Sequence, residues 1–477
     1  MHSLKSTLLT LALPLLATAQ SSSCSAPTAS YAAPSLASGY EAHLVATGLT
    51  RPRGIRFDAE GNLLVVQQRV GIVGLTFTEG GCGAPVEVAD VKVVVDDGDL
   101  NHGIEMSPDG RTLYASSADA LMSWDYDASS MSTTSDPQTL VSNMTNTDHT
   151  TRTLLLSKKA PGMMLISRGS TENVDPLASD VTSGHSQIRA FNLTNATGEY
   201  DYSNDGLMLG WGLRNSVGVD EDPNTGNLFS VENSVDQLTR DGEDVHEDNP
   251  GEELNFHGTL IDNQDDEQGG NYGYPECFAA WAPNDLPRNG TLVVGSQFAI
   301  GNGDSEAIND LECSQRVAPR LTLLAHMAPL DIKFNSQGST AWITMHGSWD
   351  RTNPVGYKLS MVAFSNGQPT AAADSTTALI DIMANPDNSA CPRGCFRPVG
   401  LAWDSQGRLF MSSDSTGEIY VITRTGGGGI DDAEAPTETG QGAPAPSTTE
   451  GAAPYVGVDV GMVLLLGGLA AVVPVLM

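Results

Sequence analysis

The feature that most constrains the fold is a short phrase that recurs along the chain. Each copy has a strand of alternating apolar and polar residues, a turn rich in Asp, Asn, Pro, Ser and Gly, and a second strand. The clear copies are RPRGIRFDAEGNLLVVQ (51–67), NHGIEMSPDGRTLYASS (101–117), RNSVGVDEDPNTGNLFSVEN (214–233), APLDIKFNSQGSTAWITMHG (328–347) and RPVGLAWDSQGRLFMSSD (397–414). A weaker sixth copy is RTLLLSKKAPGMMLISRGS (152–170). The pattern predicts six similar β-hairpins.

This repeat predicts an all-β fold, a six-bladed β-propeller. Helical periodicity is scarce, and repeated hairpins form the four-stranded blades that surround the central channel of a propeller. A β-sandwich is the structural alternative. It does not explain why one hairpin phrase recurs six times.

The residues that head the repeats are expected to meet at one mouth of the propeller, because equivalent positions of the blades lie at the same height around the axis. Most of these heads are basic, and one is His102. Together with the loops after the second strands, they hold nine of the chain's 24 Lys and Arg residues: Arg51, Arg53, Arg69, Arg152, Arg168, Arg214, Arg351, Lys358 and Arg397. The net charge is −34, so this grouping of scarce cations needs a reason.

A planar ligand with several negative charges would supply that reason. Arginine binds carboxylates through a rigid two-pronged face and also stacks on flat rings. Any single arginine could instead pair with a carboxylate of a blade. That explanation is weaker when it has to account for most of the arginines together. The acidity of the chain also argues against nucleic acid as a partner.

Both ends of the chain carry signals of processing. Residues 1–19 combine a basic start, an apolar run and a small-residue site, as in a secretory signal peptide. An N-terminal segment (20–39) and the propeller domain (40–424) follow, and then a linker rich in Gly, Pro, Thr and acidic residues at 425–451. The apolar tail of 452–477 resembles a GPI-anchor signal, with a single membrane span as the alternative. We therefore expect a secreted, extracellular protein that a lipid anchor holds at the cell surface.

Six cysteines in an exported chain predict three disulfides. The tight loop CPRGC favours a pair between Cys391 and Cys395, and the other pairings stay open. Four N-x-S/T triplets predict glycosylated surface, at Asn143, Asn192, Asn195 and Asn289.

Several motifs resemble those of the PQQ-dependent soluble glucose and sorbosone dehydrogenases, and most closely the fungal pyranose dehydrogenases. They are NHGIEMSPDGRTLY, GLRNSVGVD, GEELNF followed by GGNYGYPE, HGSWDRTNPVGYK and FRPVGLAWDSQG, and the likeness extends over about residues 40–424. The resemblance implies an enzyme that oxidises a pyranose or related sugar by hydride transfer from the anomeric carbon to PQQ.

The resemblance also implies roles for individual residues. His102 would be the general base that takes the hydroxyl proton. Arg214 would lie beside the quinone oxygen, where negative charge develops. The remaining histidines, His149 among them, are expected to have surface or structural roles.

A set of cofactor and metal ligands follows from the resemblance and from the blade positions. The positions expected to contact PQQ are Arg53, Arg168, Asn215, Trp349, Arg351, Lys358 and Arg397. Trp349 would stack on the cofactor or line the sugar site. The family's calcium ion maps to the backbone carbonyls of Ser234 and Val235, where this chain departs from the Gly-Pro of the bacterial glucose dehydrogenases.

The sequence thus predicts a PQQ- and calcium-dependent sugar dehydrogenase, which we expect to be a monomer. Its electrons would pass to an external acceptor, either a quinone, a metal centre or a redox protein. One rival is a calcium-dependent propeller lactonase or esterase, which needs a central metal held by carboxylate and amide side chains. The other is a non-catalytic extracellular propeller that binds a sugar or a protein. The pairs Asn101–His102 and Arg214–Asn215 favour the dehydrogenase.

Overall fold

Six antiparallel sheets surround one axis, each with its first strand innermost. The computed structural model describes residues 27–81, 83–301 and 308–435. The inner strands of neighbouring sheets contact each other around the ring, and those of the first and last sheets also meet. The predicted six-bladed propeller is confirmed.

The blades are built from four main strands each. Blade 1 consists of Pro52–Phe57, Leu63–Gln67, Gly71–Glu79 and Val86–Val95, and blade 2 of Leu100–Met106, Thr112–Ser117, Leu121–Asp127 and Gln138–Ser142. Blade 3 consists of Leu154–Leu156, Met163–Arg168, Gln187–Asn192 and Leu207–Trp211, and blade 4 of Ser216–Glu221, Leu228–Glu232, Glu252–Phe256 and Leu321–Leu323. Blade 5 consists of Pro329–Phe334, Thr340–Met345, Lys358–Ser365 and Ile380–Ala384, and blade 6 of Pro398–Trp403, Leu409–Ser413, Glu418–Arg424 and Tyr40–Ala46.

Short elements decorate this ring. The extra strands are Ser35–Leu36, Ser132–Thr133, Tyr200–Asp201, Thr239–Arg240, Glu243–Asp244, Cys277–Ala279, Gln297–Ala299 and Gln368–Pro369. The one α-helix of the described residues is Asp310–Cys313. The 3-10 turns are Pro176–Ser179, Val181–Ser183, Leu193–Asn195, Pro283–Asp285 and Asn388–Ala390.

Blade 6 closes the ring with strands from both ends of the domain. Its outer strand, Tyr40–Ala46, precedes blade 1 in the chain and pairs antiparallel with Glu418–Arg424. Blade 6 therefore contains the first and last main strands of the propeller, and the hydrogen bonds between them close the ring of blades.

The apolar core lies between the blades rather than on the axis. Between blades 4 and 5, for example, the rings of Phe229, Phe256, Phe334 and Phe364 pack together, with the centroids of the last two 4.9 Å apart. Each blade buries both faces against its neighbours, so the apolar side chains lie between the blades. The axis is left to the polar groups of the inner strands.

Glycines in the inner strands allow the blades to approach each other. A Cβ atom on Gly54 would lie 2.2 Å from the carbonyl oxygen of His102, and one on Gly103 would lie 2.2 Å from that of Arg152. Only a residue without a side chain fits where one backbone touches the next. This explains the Gly-Ile pair at the start of the first two repeats.

The replacement Gly103→Ala is expected to lower the free energy of unfolding by about 2–3 kcal/mol, because the blades must separate to admit the methyl group. Urea denaturation would measure the change. Gly198→Ala is a matched control, since a Cβ there meets nothing within 4 Å. If both variants unfold at the same urea concentration as the unmodified protein, the close contact between blades 2 and 3 does not exist.

Acidic residues of the inner strands bind free amides of the neighbouring blade. The backbone N–H of Phe334 donates to Asp220 Oδ2 at 2.7 Å, and that of Leu401 donates to Asp331 Oδ2 at 2.8 Å. An inner strand is the edge of its sheet, and these carboxylates satisfy amides that would otherwise lack a partner. Part of the strong negative charge therefore has a structural use.

Long loops follow the second strands of blades 3, 4 and 5, at the end of the ring where the inner strands begin. Apolar side chains of the loops in blades 3 and 4 form a cluster with those of the segment that joins the third and fourth strands of blade 4. The cluster is made of Ala178, Val235, Leu238, Val245, Tyr274, Phe278, Ala280, Leu286 and Phe298. This cluster stiffens the loops around the mouth of the channel.

Two disulfides lie in the described residues. One joins Cys277 to Cys313, and the other is the expected pair of Cys391 and Cys395. The remaining cysteines, Cys24 and Cys82, lie outside the described residues.

Segments on both sides of the predicted domain pack onto it. Ser35–Leu36 pairs with Ile380–Ala384 in blade 5, and Ile430 is fully buried against blades 5 and 6. The packed part of the chain therefore continues beyond residue 424, into the segment that is predicted as a linker. The predicted signal peptide and anchor signal lie outside the described residues. Within the described part of the chain, no helix is long and apolar enough to cross a membrane.

Candidate active site

The mouth of the channel lies where the inner strands begin. In an antiparallel blade, the start of the first strand and the end of the second are at the same edge. The predicted heads Arg53, His102 and Arg214 are all buried at this end, and Arg397 is half-buried. The structure therefore brings these four residues to one end of the propeller, as the repeat predicted.

Arg53, Asp414, His346 and Arg397 form one connected group. Arg53 Nη1 donates to Asp414 Oδ2 at 2.7 Å, and His346 Nε2 donates to Asp414 Oδ1 at 2.8 Å. Arg397 Nε donates to the His346 carbonyl at 3.0 Å. The group thus holds two guanidinium groups and one carboxylate, which pairs directly with Arg53 alone. The buried Nε of Arg53 has no partner among the described residues. The surplus positive charge suits an anionic ligand.

Asp414 is ionised in this group. Burial opposes its ionisation, but the charges of His346 and Arg53 and their hydrogen bonds lower the pKa of its carboxyl far below the usual range. The carboxylate therefore orients both partners throughout the physiological pH range.

His102 lies in a bulge of the inner strand of blade 2 and is only 4% exposed. Burial, followed by the charges of Arg53 and Lys333, lowers the pKa of its imidazole well below 6.5. Its Nδ1 is buried and makes no hydrogen bond to a described residue. The ring is therefore neutral and is not oriented by any side chain that the structure describes.

Arg214 is held on several sides. Its guanidinium donates to Asp236 Oδ2 at 2.9 Å, to the Asn173 carbonyl at 3.1 Å and to the Asn233 carbonyl at 3.2 Å. Its backbone N–H donates to Glu232 Oε1 at 2.6 Å. A cation held in this way is preorganised, because its position does not have to change when negative charge develops nearby.

His149 lies beside Arg214. The residues around His149 in the sequence did not predict this position. A Cβ atom on Gly169 would be 2.8 Å from the Cβ of His149, 2.7 Å from Asn215 Oδ1 and 3.2 Å from the Arg214 carbonyl oxygen. All three residues therefore surround the same backbone position. The repeat that follows His149 is the degenerate one, so its head could not be aligned with the others; the only local signal was its place shortly before Arg152.

Hydrogen bonds set the tautomer of His149. Its Nδ1 lies 2.8 Å from Ser170 Oγ and 3.2 Å from the Ser170 carbonyl oxygen. The hydroxyl proton of Ser170 goes to the Glu172 carbonyl, so both atoms near Nδ1 are acceptors and Nδ1 carries the proton. Burial and then the charge of Arg214 lower the pKa of the ring to about 4. At neutral pH, Nε2 therefore offers a free lone pair.

Ser234 and Val235 lie in the loop after the second strand of blade 4. Glu252 braces this loop, because its two oxygens accept the N–H groups of Ser234 at 2.7 Å and Ala328 at 2.9 Å. The carbonyl oxygens of Ser234 and Val235 accept no hydrogen bond from a described residue.

Two predicted cofactor contacts are paired with acids at the rim instead. Arg351 Nη2 donates to Asp248 Oδ1 at 2.9 Å, and Lys358 Nζ lies 2.8 Å from Asp381 Oδ1. Their charges are largely neutralised there. The structure does not bring them into the group around Arg53 or the contacts of Arg214.

The last two predicted contacts are also separate from those groups. Arg168 donates to Asn146 Oδ1 at 3.2 Å and lies over the ring of Tyr202, 5.8 Å from its centroid. Trp349 is 64% exposed, so its indole is not enclosed by the protein. Arg168 thus braces blade 3, and Trp349 lies on the protein surface.

Comparisons with known proteins add to this geometry. The family model described as TrAA12-like matches residues 34–425. A pyrroloquinoline quinone-dependent sugar dehydrogenase of Hypocrea jecorina is 50% identical over 84% of this chain and 92% of that protein. Pyranose dehydrogenase from Coprinopsis cinerea is 38% identical over 82% of this chain, but the match spans only 55% of its length.

Two solved structures are also similar to this chain in fold and in sequence. The calcium structure of the Trichoderma reesei family AA12 enzyme has a TM-score of 0.81 at 50% identity, covering 84% of this chain and 99% of that one. The holo form of the pyranose dehydrogenase PQQ domain from Coprinopsis cinerea has a TM-score of 0.77 at 38% identity, with the same coverage.

Proposed function

Because this chain belongs to the TrAA12-like family of PQQ-dependent sugar dehydrogenases, we propose that it oxidises a sugar at the mouth of the propeller. The reaction would remove a hydride from the carbon that bears a sugar hydroxyl, most favourably the anomeric one, and a proton from that hydroxyl. The observation that carries the proposal is the buried cluster of arginines in a chain with a net charge of −34.

The residues present fit PQQ, which carries three carboxylates on a planar ring system. Arg53 pairs with one carboxylate, that of Asp414, and its Nε lacks a partner among the described residues. Arg397 donates only to the backbone carbonyls of His346 and Gly347, so its charge has no carboxylate partner among the described residues. Buried donors without acceptors are costly, and a ligand carboxylate would satisfy them. We propose that these two arginines and Arg214 hold the cofactor, with Asn215 beside it.

When bound, PQQ would supply an electrophilic quinone carbon as the hydride acceptor, and the hydride together with one proton would reduce the quinone to the quinol. Arg214 would stabilise the negative charge that develops on the neighbouring oxygen, since its contacts to Asp236 and Asn173 hold it in place. Charge stabilisation of this kind accelerates the step only because the cation is fixed beforehand.

We propose that His149, rather than His102, takes the hydroxyl proton. His149 is oriented by Ser170, is half-buried and offers the lone pair of Nε2 beside Arg214. His102 has no such orienting contact and is almost fully buried. A general base must be held in the direction of the proton that it abstracts, so the orienting contact with Ser170 favours His149. The assignment of His102 by resemblance stays a prediction, and the variants in the Discussion separate the two.

The calcium assignment is also a proposal. The free carbonyl oxygens of Ser234 and Val235 suit a cation that prefers six to eight oxygen ligands. Cofactor oxygens and water would complete the shell.

The test is to titrate the protein with PQQ in calcium buffer and then add sugars. We expect PQQ to bind below about 10 μM and its spectrum to change to that of the quinol when a pyranose is added. Arg397→Gln should weaken PQQ binding at least about tenfold, because a charged hydrogen bond is lost. Lys358→Gln is the control and should bind PQQ normally, since Lys358 is paired with Asp381. Absence of PQQ binding would overturn the proposed function.

The pH profile tests the proton acceptor. Protonation of His149 removes its lone pair, so kcat/KM should fall as the pH drops through about 4 and should be level above it. Steady-state rates at saturating PQQ and calcium give the profile. An acid limb near 6.5, the ordinary value for imidazole, would contradict the assignment.

We also propose that the enzyme is exported, held at the cell surface by a GPI anchor, and reoxidised by an external quinone, metal centre or redox protein. The terminal segments of the sequence support this. Treatment of whole cells with a phosphatidylinositol-specific phospholipase should release the activity. Retention of the activity on the cells would argue against the anchor.

A further inference from the structure

Three side chains from separate loops converge near the mouth of the channel. Asp236 follows the second strand of blade 4, His326 precedes blade 5, and Asp350 lies in the loop after the second strand of blade 5. One potential ligand atom from each lies within 4.8 Å of the others.

Each of the three residues also has a partner that fixes its orientation. Asp236 Oδ2 accepts from Arg214 at 2.9 Å, and Asp350 Oδ2 accepts the N–H of Gln237 at 2.6 Å. His326 Nε2 donates to the His246 carbonyl at 2.6 Å. Metal-binding carboxylates and imidazoles are commonly oriented in this way, with one atom held and the other free.

The free atom of His326 makes the cluster more than a group of acids. Since Nε2 donates to the His246 carbonyl, Nδ1 is the ring nitrogen that faces Asp236 Oδ1, 3.6 Å away. Burial opposes protonation of this ring, but the contact with Asp236 and the charge of Glu252 outweigh it and raise the pKa of the imidazole, so a proton can lie between the two atoms. His326 is only 7% exposed. A metal ion that binds both atoms would take the place of that proton.

We propose that Asp236, His326 and Asp350 bind a divalent transition-metal ion, with zinc as the best match. One imidazole nitrogen and two carboxylate oxygens suit zinc and its neighbours, whereas calcium prefers oxygen ligands alone. Three protein ligands leave a position for water or another ligand. The ion would join the loops of blades 4 and 5 next to Arg214, and it is distinct in its donor atoms from the calcium assigned to Ser234 and Val235.

The experiment uses the full-length protein without PQQ, stripped of metal by a chelator and kept in excess calcium. Titration with Zn²⁺ in a calorimeter should show one ion per chain with a Kd below about 10 μM. Titration with Co²⁺ should give visible absorption bands of a site with nitrogen and oxygen ligands. Neither readout depends on turnover, so a failed zinc site and a failed dehydrogenase are distinguishable.

Variants locate the ion. Asp350→Asn and His326→Gln should each weaken Zn²⁺ binding at least about tenfold, whereas Asp248→Asn, a rim acid paired with Arg351, should not. Should either ligand variant fail to fold, the other variant and the Co²⁺ spectrum of the unmodified protein still test the proposed metal site. Three results would overturn the proposal: no stoichiometric binding, because His326 then holds a proton instead; unchanged binding in folded ligand variants; or displacement of Zn²⁺ by millimolar calcium, which would make this the calcium site.

Discussion

Replacement of His149 by alanine is expected to lower kcat of the PQQ-loaded protein by about 10³-fold, within the range for loss of a general base. PQQ affinity should change by less than about threefold, because the ring is proposed to act on the sugar hydroxyl. Stopped-flow measurement of quinol formation gives the rate of the chemical step, and spectral titration gives the affinity.

His102→Ala is the matched comparison. It removes the histidine that the resemblance implies as the base, and it is expected to reduce kcat much less than His149→Ala. If His102→Ala abolishes turnover while His149→Ala retains it, the proton acceptor is His102, as the resemblance implied. Both variants need the thermal stability of the unmodified protein, since His102 lies in an inner strand.

The change Arg214→Gln is expected to lower kcat by about 10²-fold or more, since a fixed cation beside developing negative charge is lost. KM for the sugar should change less than kcat, because the charge is proposed to act in the transition state. Quinol formation under single-turnover conditions would measure the step.

A second variant separates charge from structure at this position. Arg214 also bonds the Asp236 carboxylate and the Asn173 and Asn233 carbonyls, so its loss could loosen the loop. Arg214→Lys keeps the charge but cannot make all these contacts. If Arg214→Lys keeps most of the rate, the charge is the main contribution. If Arg214→Gln and Arg214→Lys both fold and are equally slow, the positioning of the loop is the main contribution. If Arg214→Gln has no effect on the rate, Arg214 has no role in the chemical step.

Much of the architecture could be predicted because its signals are local. Alternation of apolar and polar residues with period two, ended by turn residues, identifies a hairpin without knowledge of its neighbours. Six such hairpins predict six blades, and the heads Arg53, His102, Arg214 and Arg397 did reach one end of the ring. The short loop between Cys391 and Cys395 likewise predicted its own disulfide.

The site was harder to predict where loops, rather than strands, place the side chains. Arg351 and Lys358 carry the right charge in the expected loop, but Asp248 and Asp381 lie close enough to pair with them. His149 precedes the degenerate repeat, so no pattern aligned it with the other heads. Which cation is paired and which remains available depends on residues that are distant in the chain.

The sequence by itself determined the number of blades, their inner hairpins and the basic residues at the mouth, because strand periodicity and turn chemistry act over a few residues. Only the tertiary structure decided that His149 lies beside Arg214, that Arg168 braces a blade, and that Asp236, His326 and Asp350 meet. Those contacts join loops of different blades. Their geometry follows from how the blades pack around the axis and from the apolar cluster beneath the loops, and neither can be read from local pattern.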